Sequence, residues 1–178
     1  SLKSNFSLLT EQLQETQFSI IGEGDLDSIN LHQLNLSNSQ IQIKIPTKIS
    51  WKENITTDSQ LEMSQFNPGF YYPEWQGSVN GTASLKTQIF NDGSYQLFVN
   101  ESLFNGQLKE QDFSLNAAIE IIPASIKVLP SKLLFGNNTV EIDAIIGPQK
   151  VDANIDANLL DLSLIDKQLN GQINTSFS

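Results

Sequence analysis

The apolar residues of this 178-residue chain recur at every second position, and that habit constrains the fold more than any other property of the sequence. Residues two apart in an extended chain share one side of a pleated strand, whereas a helix face needs spacings of three and four. The clearest run is Ile41, Ile43 and Ile45, separated by Gln42 and Lys44. After Pro46 it resumes as Ile49 and Trp51, then as Leu61 and Met63. Val79, Gly81, Ala83, Leu85, Thr87 and Ile89 form a longer row, with Asn80, Thr82, Ser84, Lys86 and Gln88 on the other side. One face is oily and the other wet.

Turn chemistry punctuates the rows. Asn91-Asp92-Gly93 tolerates positive φ and predicts a hairpin leading into Tyr95, Leu97 and Val99; a second hairpin is expected at Asn105-Gly106. Phe113, Leu115, Ala117, Ile119 and Ile121 continue the alternation. Gly136-Asn137-Asn138 precedes Val140, Ile142, Ala144 and Ile146, and Gly147-Pro148 precedes Val151, Ala153, Ile155 and Ala157. Leu169, Gly171, Ile173, Thr175 and Phe177 give the last strand. Helical spacing is weak and confined to Ser7 to Gln14 and Leu159 to Ile165, the second expected as a short helical turn or a bulged connection. The expectation is an all-β, antiparallel-rich fold in one segment, residues 1–178, with a faint repeat at about 61–90 and 153–177. In each copy a strand and an irregular apolar connection lead to a glycine that opens a new strand.

Apolar rows leave water with a gain of about 25 cal/mol per Å². Two sheets face to face, a closed barrel, or one long sheet curled around a groove would each achieve this. Small inward residues such as Gly81, Ala83, Ala117, Ala144, Ala153 and Ala157 leave space of the kind a ligand-holding interior needs, although a packed sandwich also uses alanine.

Composition removes most chemistry. Twenty Asp and Glu against ten cations leave a net charge of −10, which opposes phosphate-held nucleic-acid binding. All ten cations are lysine, so bidentate guanidinium recognition is absent. There is no cysteine, hence no disulfide, thiolate nucleophile or Cys-ligated metal. The single histidine, His32, lies in the run Leu31-His32-Gln33-Leu34 without a nucleophile elbow and is read as a residue of a solvated strand face. No apolar stretch approaches the ~20 residues of a membrane span, and no signal peptide is visible. No catalytic residue, metal or cofactor is expected.

Other motifs have plain readings. Gly22-Glu23-Gly24-Asp25-Leu26-Asp27 fails EF-hand spacing, with Asn30 and Leu36 where glycine and glutamate belong, and is read as an acidic turn. Asp152, Asp156, Asp161 and Asp166 are read as a solvated strand face. The Asn-x-Thr sequons at Asn54 and Asn80 follow from an asparagine-rich composition. Trp75, near Tyr71 and Tyr72, is read as part of a proline-bounded connection that plugs or caps the sheet.

Several elements together resemble one family. Asn67-Pro68-Gly69, then Pro73-Glu74-Trp75-Gln76-Gly77 and Gly81, is similar to an element of the AsmA-like translocation and assembly module family, TamB. The hairpin segment Leu103-Phe104-Asn105-Gly106-Gln107-Leu108, the strand entry Leu134-Phe135-Gly136-Asn137-Asn138, and the alternating Val151 to Leu159 resemble later elements of the same family, in the same order. The resemblance covers roughly residues 61–177, with Thr139 where an arginine is common. It implies a curled, taco-like open groove with an apolar interior, in a periplasmic protein anchored in the Gram-negative inner membrane. The implied partners are phospholipid and an outer-membrane β-barrel protein of the TamA kind, and the implied work is lipid transport and outer-membrane protein assembly.

On this reading the groove is lined by Ile41, Ile43, Ile45, Ile49 and Trp51, by Val79, Leu85, Ile89, Leu97 and Val99, and by Val140, Ile142, Val151 and Ile155. The competing expectation is a β-sandwich or β-solenoid interaction module of a surface or adhesin protein.

Overall fold

A computed structural model describes residues 2–10 and 14–177, with side chains from Thr16 to Phe177. Among the described residues, thirteen strands form one antiparallel sheet. They are β1 (Leu2–Thr10), β2 (Gln14–Gly24), β3 (Ser28–Ser37), β4 (Gln42–Lys44), β5 (Thr47–Ser50), β6 (Ile55–Phe66) and β7 (Gly77–Ile89), then β8 (Tyr95–Leu108), β9 (Gln111–Ile122), β10 (Ser125–Phe135), β11 (Asn138–Ile146), β12 (Val151–Leu159) and β13 (Ile173–Phe177). Each pairs with its sequence neighbours, so the sheet is an up-and-down meander with β1 and β13 at its edges. The one departure is at β4 and β5, which occupy a single position between β3 and β6. Pro46 separates them because it has no N–H for the ladder, although its carbonyl still accepts from the Gln60 N–H.

Register carries the alternation across the sheet. Leu85 stands opposite Ser59 and Val99, Val99 opposite Ile119, and Ile119 opposite Val128, so the apolar rows of neighbouring strands share one face. The wet face carries directly opposed charge pairs: Lys86 with Asp58, Lys127 with Glu120, and Lys132 with Glu141, at 3.5, 3.5 and 2.6 Å. Cross-strand pairs of this exposed kind contribute ~1 kcal/mol or less each and mainly fix register.

Irregular residues fall in mid-sheet. Glu101 has positive φ at a bulge in β8, and Pro130 lies at a bulge in β10. A bulge disrupts the ladder locally, and buried hydroxyls supply polar partners there. Ser102 Oγ donates to the Ala117 carbonyl at 2.5 Å. Ser131 Oγ donates to Leu129 O at 2.7 Å and accepts from Ala118 N–H. Ala83 and Ala144, also buried, share the apolar face with them.

Four expectations need correction. Leu169 and Gly171 precede the last strand, which is β13 alone, and the Leu169 N–H donates to Asp166 O in a turn. Ser7 to Thr10 is strand, within β1, not helix; residues 11–13 of that expectation lie outside the described residues. Asn105-Gly106 is not a turn but part of β8, because a Cβ on Gly106 would lie 2.0 Å from the Ser78 carbonyl oxygen. The hairpin falls instead at Lys109-Glu110, both at positive φ. Asp161 and Asp166 leave the strand face and cap turns, Asp161 accepting from Ser163 N–H and Asp166 from Gln168 N–H.

The accessible surface of the chain is 11646 Å². A compact monomer of this mass exposes about 8,600 Å². Strand surface that a two-layer domain would bury therefore meets solvent here, and no second sheet is present among the described residues.

Candidate functional site

The candidate site is the apolar face, and its two ends differ in construction. At one end lie the junctions Ser37 to Gln42, Phe66 to Gly77, Leu108 to Gln111, Phe135 to Asn138 and Leu159 to Ile173. Three of these are built on Asx caps. Asn38 Oδ1 accepts from the N–H groups of Gln40 and Ile41. Asn67 Oδ1 accepts from Gly69 and Gly77 N–H, holding a pair of 3₁₀ turns, Pro68–Phe70 and Pro73–Trp75. Asp161 Oδ1 caps the 3₁₀ turn Leu162–Leu164. Short side-chain acceptors of this sort satisfy the first free N–H groups of a turn and fix where the chain goes.

The two longer connections lie on the apolar face. Val79, Leu108 and Phe135 are 5–7 % exposed, and Trp75 and Leu164 pack against them with Met63, Phe66, Phe104 and Phe113. The Trp75 and Phe135 ring centroids are 5.5 Å apart. Lys109 joins the connections to each other: its Nζ sits 4.1 Å from the Trp75 ring centroid and donates to the carbonyls of Leu164 and Ile165 at 2.9 and 3.0 Å. Between the connections and the sheet is a cavity of about 340 Å³, lined by Trp75, Phe113, Leu133, Phe135, Asn138, Val140, Leu159 and Ile165. The Asn138 carboxamide is engaged in both senses, donating to Asp161 O at 2.7 Å and accepting from Asp161 N–H at 2.9 Å.

At the opposite end the turns are tight, and nothing among the described residues covers the face. Ile55, Ile89, Tyr95, Ile126, Ile146 and Val151, all in register on that face, are 39–66 % exposed. The Phe90–Ser94 turn is held by Asp92, whose carboxylate accepts from the hydroxyl and N–H of Ser94, and those bonds keep its pKa below the ordinary value. The Asp25 carboxylate is likewise held low, first by the N–H of Asp27 and then by that of Ser28. His32 Nε2 lies 3.1 Å from Glu23 Oε1 on the wet face, at a bulge in β3.

Register brings eleven of the sequence candidates onto the apolar face: Ile43, Ile49, Val79, Leu85, Ile89 and Leu97, with Val99, Val140, Ile142, Val151 and Ile155. Ile41 and Ile45 flank β4 with the same parity, Ile41 buried. Trp51 stands apart, just beyond β5, 43 % exposed, with its indole N–H donating to Leu26 O at 2.7 Å. Phe104, Phe113, Leu133 and Phe135 belong to the face and were not among the candidates. Phe113 stands in the alternating row with Leu115, while the turn expected at Gly106 and the interruption at Pro130 hide the rows that carry Phe104, Leu133 and Phe135. Among the described residues no group of three metal-ligating side chains occurs, and no helix is long and apolar enough to cross a membrane.

An antiparallel meander in one sheet, oily on one face and with β1 and β13 outermost among the described residues, is the class these features define. The whole chain, residues 1–178, matches the family model described as TamB, N-terminal domain, and the chain belongs to the TamB family. That family is a transport and assembly module of the Gram-negative envelope, involved in lipid or outer-membrane protein assembly, and works with TamA. No curated protein and no solved structure matches the chain.

Proposed function

We propose that this sheet is a segment of a periplasmic conduit whose apolar face shields acyl chains during phospholipid transport between the inner and outer membranes. The reading extends to outer-membrane protein assembly through the full-length protein, anchored in the inner membrane and engaging a TamA-like β-barrel. The physical need is large. Two chains of ~15 methylenes in water cost on the order of 24 kcal/mol, at about 0.8 kcal/mol per methylene. A face of half-exposed aliphatic side chains takes up such chains while the headgroup stays wet, and that requires neither nucleotide nor metal. The observation that carries the reading is the apolar face itself: Leu85, Leu97, Val99, Ile142 and Ile155 are only partly buried, on a sheet with no second sheet against it among the described residues.

The test is a photo-crosslinking residue placed in cells at Ile43 or Leu97, with Lys44 and Phe98 on the wet face as controls. Phospholipid adducts at the first pair and not the second support the reading. Equal capture at both, or none at either, contradicts it.

A further inference from the structure

The cavity at the capped end differs from the rest of the apolar face in being walled on several sides. Phe113, Leu133, Phe135 and Val140 form its floor, and Trp75 and Ile165 come from the two connections that roof it. Lys109 binds the roof together by stacking on Trp75 and donating to Leu164 and Ile165. A buried water needs two to four polar partners, and an apolar cavity without them stays dry. Asn138 contributes the one amide of the wall, and it is already tied in both directions to the Asp161 backbone. The volume, about 340 Å³, is more than twice that of the roughly 150 Å³ engineered cavity that accepts benzene. It therefore has room for on the order of ten carbon atoms. Val140 also begins the row Val140, Ile142, Ala144 and Ile146, which runs along β11 to the open end.

We propose that this cavity is a terminal subsite for the methyl end of one hydrocarbon chain. A lipid lying along the face then points its chain end at the capped end and its headgroup toward the open end. The proposal rests on the acyl-shielding reading above and adds to it a polarity and a blind end.

The chain's two tryptophans make the test direct. In a Trp51→Phe variant, Trp75 in the cavity wall is the sole indole. The protein is mixed with micelles of a lysophosphatidylcholine brominated either on the last carbons of its chain or next to the ester, and retained lipid is measured by phosphate after gel filtration. Terminal bromines are expected to quench most of the Trp75 emission and ester-proximal bromines little of it. Val140→Phe, which fills the cavity, is expected to abolish the difference between the two bromine positions. The comparison of bromine positions needs no cavity variant, so it decides the matter even where Val140→Phe fails to fold. Lipid retained with equal quenching by both probes, or with none, overturns the subsite and leaves the acyl-shielding reading standing. No lipid retained overturns both.

Discussion

The two ends of the apolar face are made from the same alternating strands but finished differently. At the capped end, Val79, Leu108 and Phe135 are held almost out of water by two connections that Asn67 and Asp161 nucleate. At the open end, Ile89, Tyr95 and Val151 occupy equivalent positions in the pleat and remain 40, 56 and 66 % exposed, because the turns there are too short to reach back over the face. Burial of the large apolar side chains at the capped end is thus supplied by loops, with no second sheet among the described residues. Stability is expected to concentrate where the loops lie, and an unsealed face to remain where they do not.

Truncation separates the ends most sharply. Phe135→Ala removes a buried ring beneath Trp75 and is expected to cost about 3–5 kcal/mol in urea unfolding. Ile89→Ala, 40 % exposed on the same face, is expected to cost about 1 kcal/mol or less. Equal losses would erase the distinction. Next in size is Asn67→Ala, which leaves the Gly69 and Gly77 N–H groups without their acceptor; a loss of about 1–2 kcal/mol is expected, together with weaker packing of Trp75 read by its fluorescence.

A charge in mid-face asks whether the openness reaches inward. On a half-exposed face, Leu97→Asp is expected to lower stability by only about 1 kcal/mol while interrupting lipid capture in cells. A sealed interior would lose several kcal/mol from the same change. The smallest effect belongs to the open-end loops. The folded-state pKa of Asp25 and of Asp92 lies below the ordinary carboxylate value, so each carboxylate favours the fold above that ordinary value and ceases to as pH falls through the lower, folded one. Asp25→Ala is expected to lower stability slightly at neutral pH and leave it unchanged in strong acid, so that the acid limb of the stability curve, read by urea unfolding across pH, is slightly flatter.

Much of this was legible from spacing. The rows Val79 to Ile89 and Val140 to Ile146 are strands with the expected faces, and Asn91-Asp92-Gly93 and Gly136-Asn137 turn the chain as their tolerance of positive φ implies. Trp75 packs over the sheet within its proline-bounded connection. What spacing missed came from contacts distant in sequence. Gly106 resembled a turn residue, yet its missing side chain serves the close approach of Ser78, and Lys109-Glu110 turns the chain without the usual residues. Asp161 resembled a surface acid, yet its acceptor role depends on a local turn and its backbone on Asn138, 23 residues away. The cavity between the connections and the sheet is assembled from Trp75 and Ile165 of the two connections with residues of β9, β10, β11 and β12, and no single run of sequence contains it.

One face of β8 carries Leu97 and Val99, half-buried in the lipid-free protein and, on the acyl-shielding reading, taken over by lipid. The chain has no cysteine, so single nitroxide labels at positions 97, 98 and 99 report on alternate faces of that strand without further changes. With a water-soluble paramagnetic relaxant, labels at 97 and 99 are predicted to be accessible in lipid-free protein and shielded once phospholipid is added, while 98 stays accessible throughout. Labels at 97 and 99 that are shielded from the start, with lipid making no difference, would contradict the account.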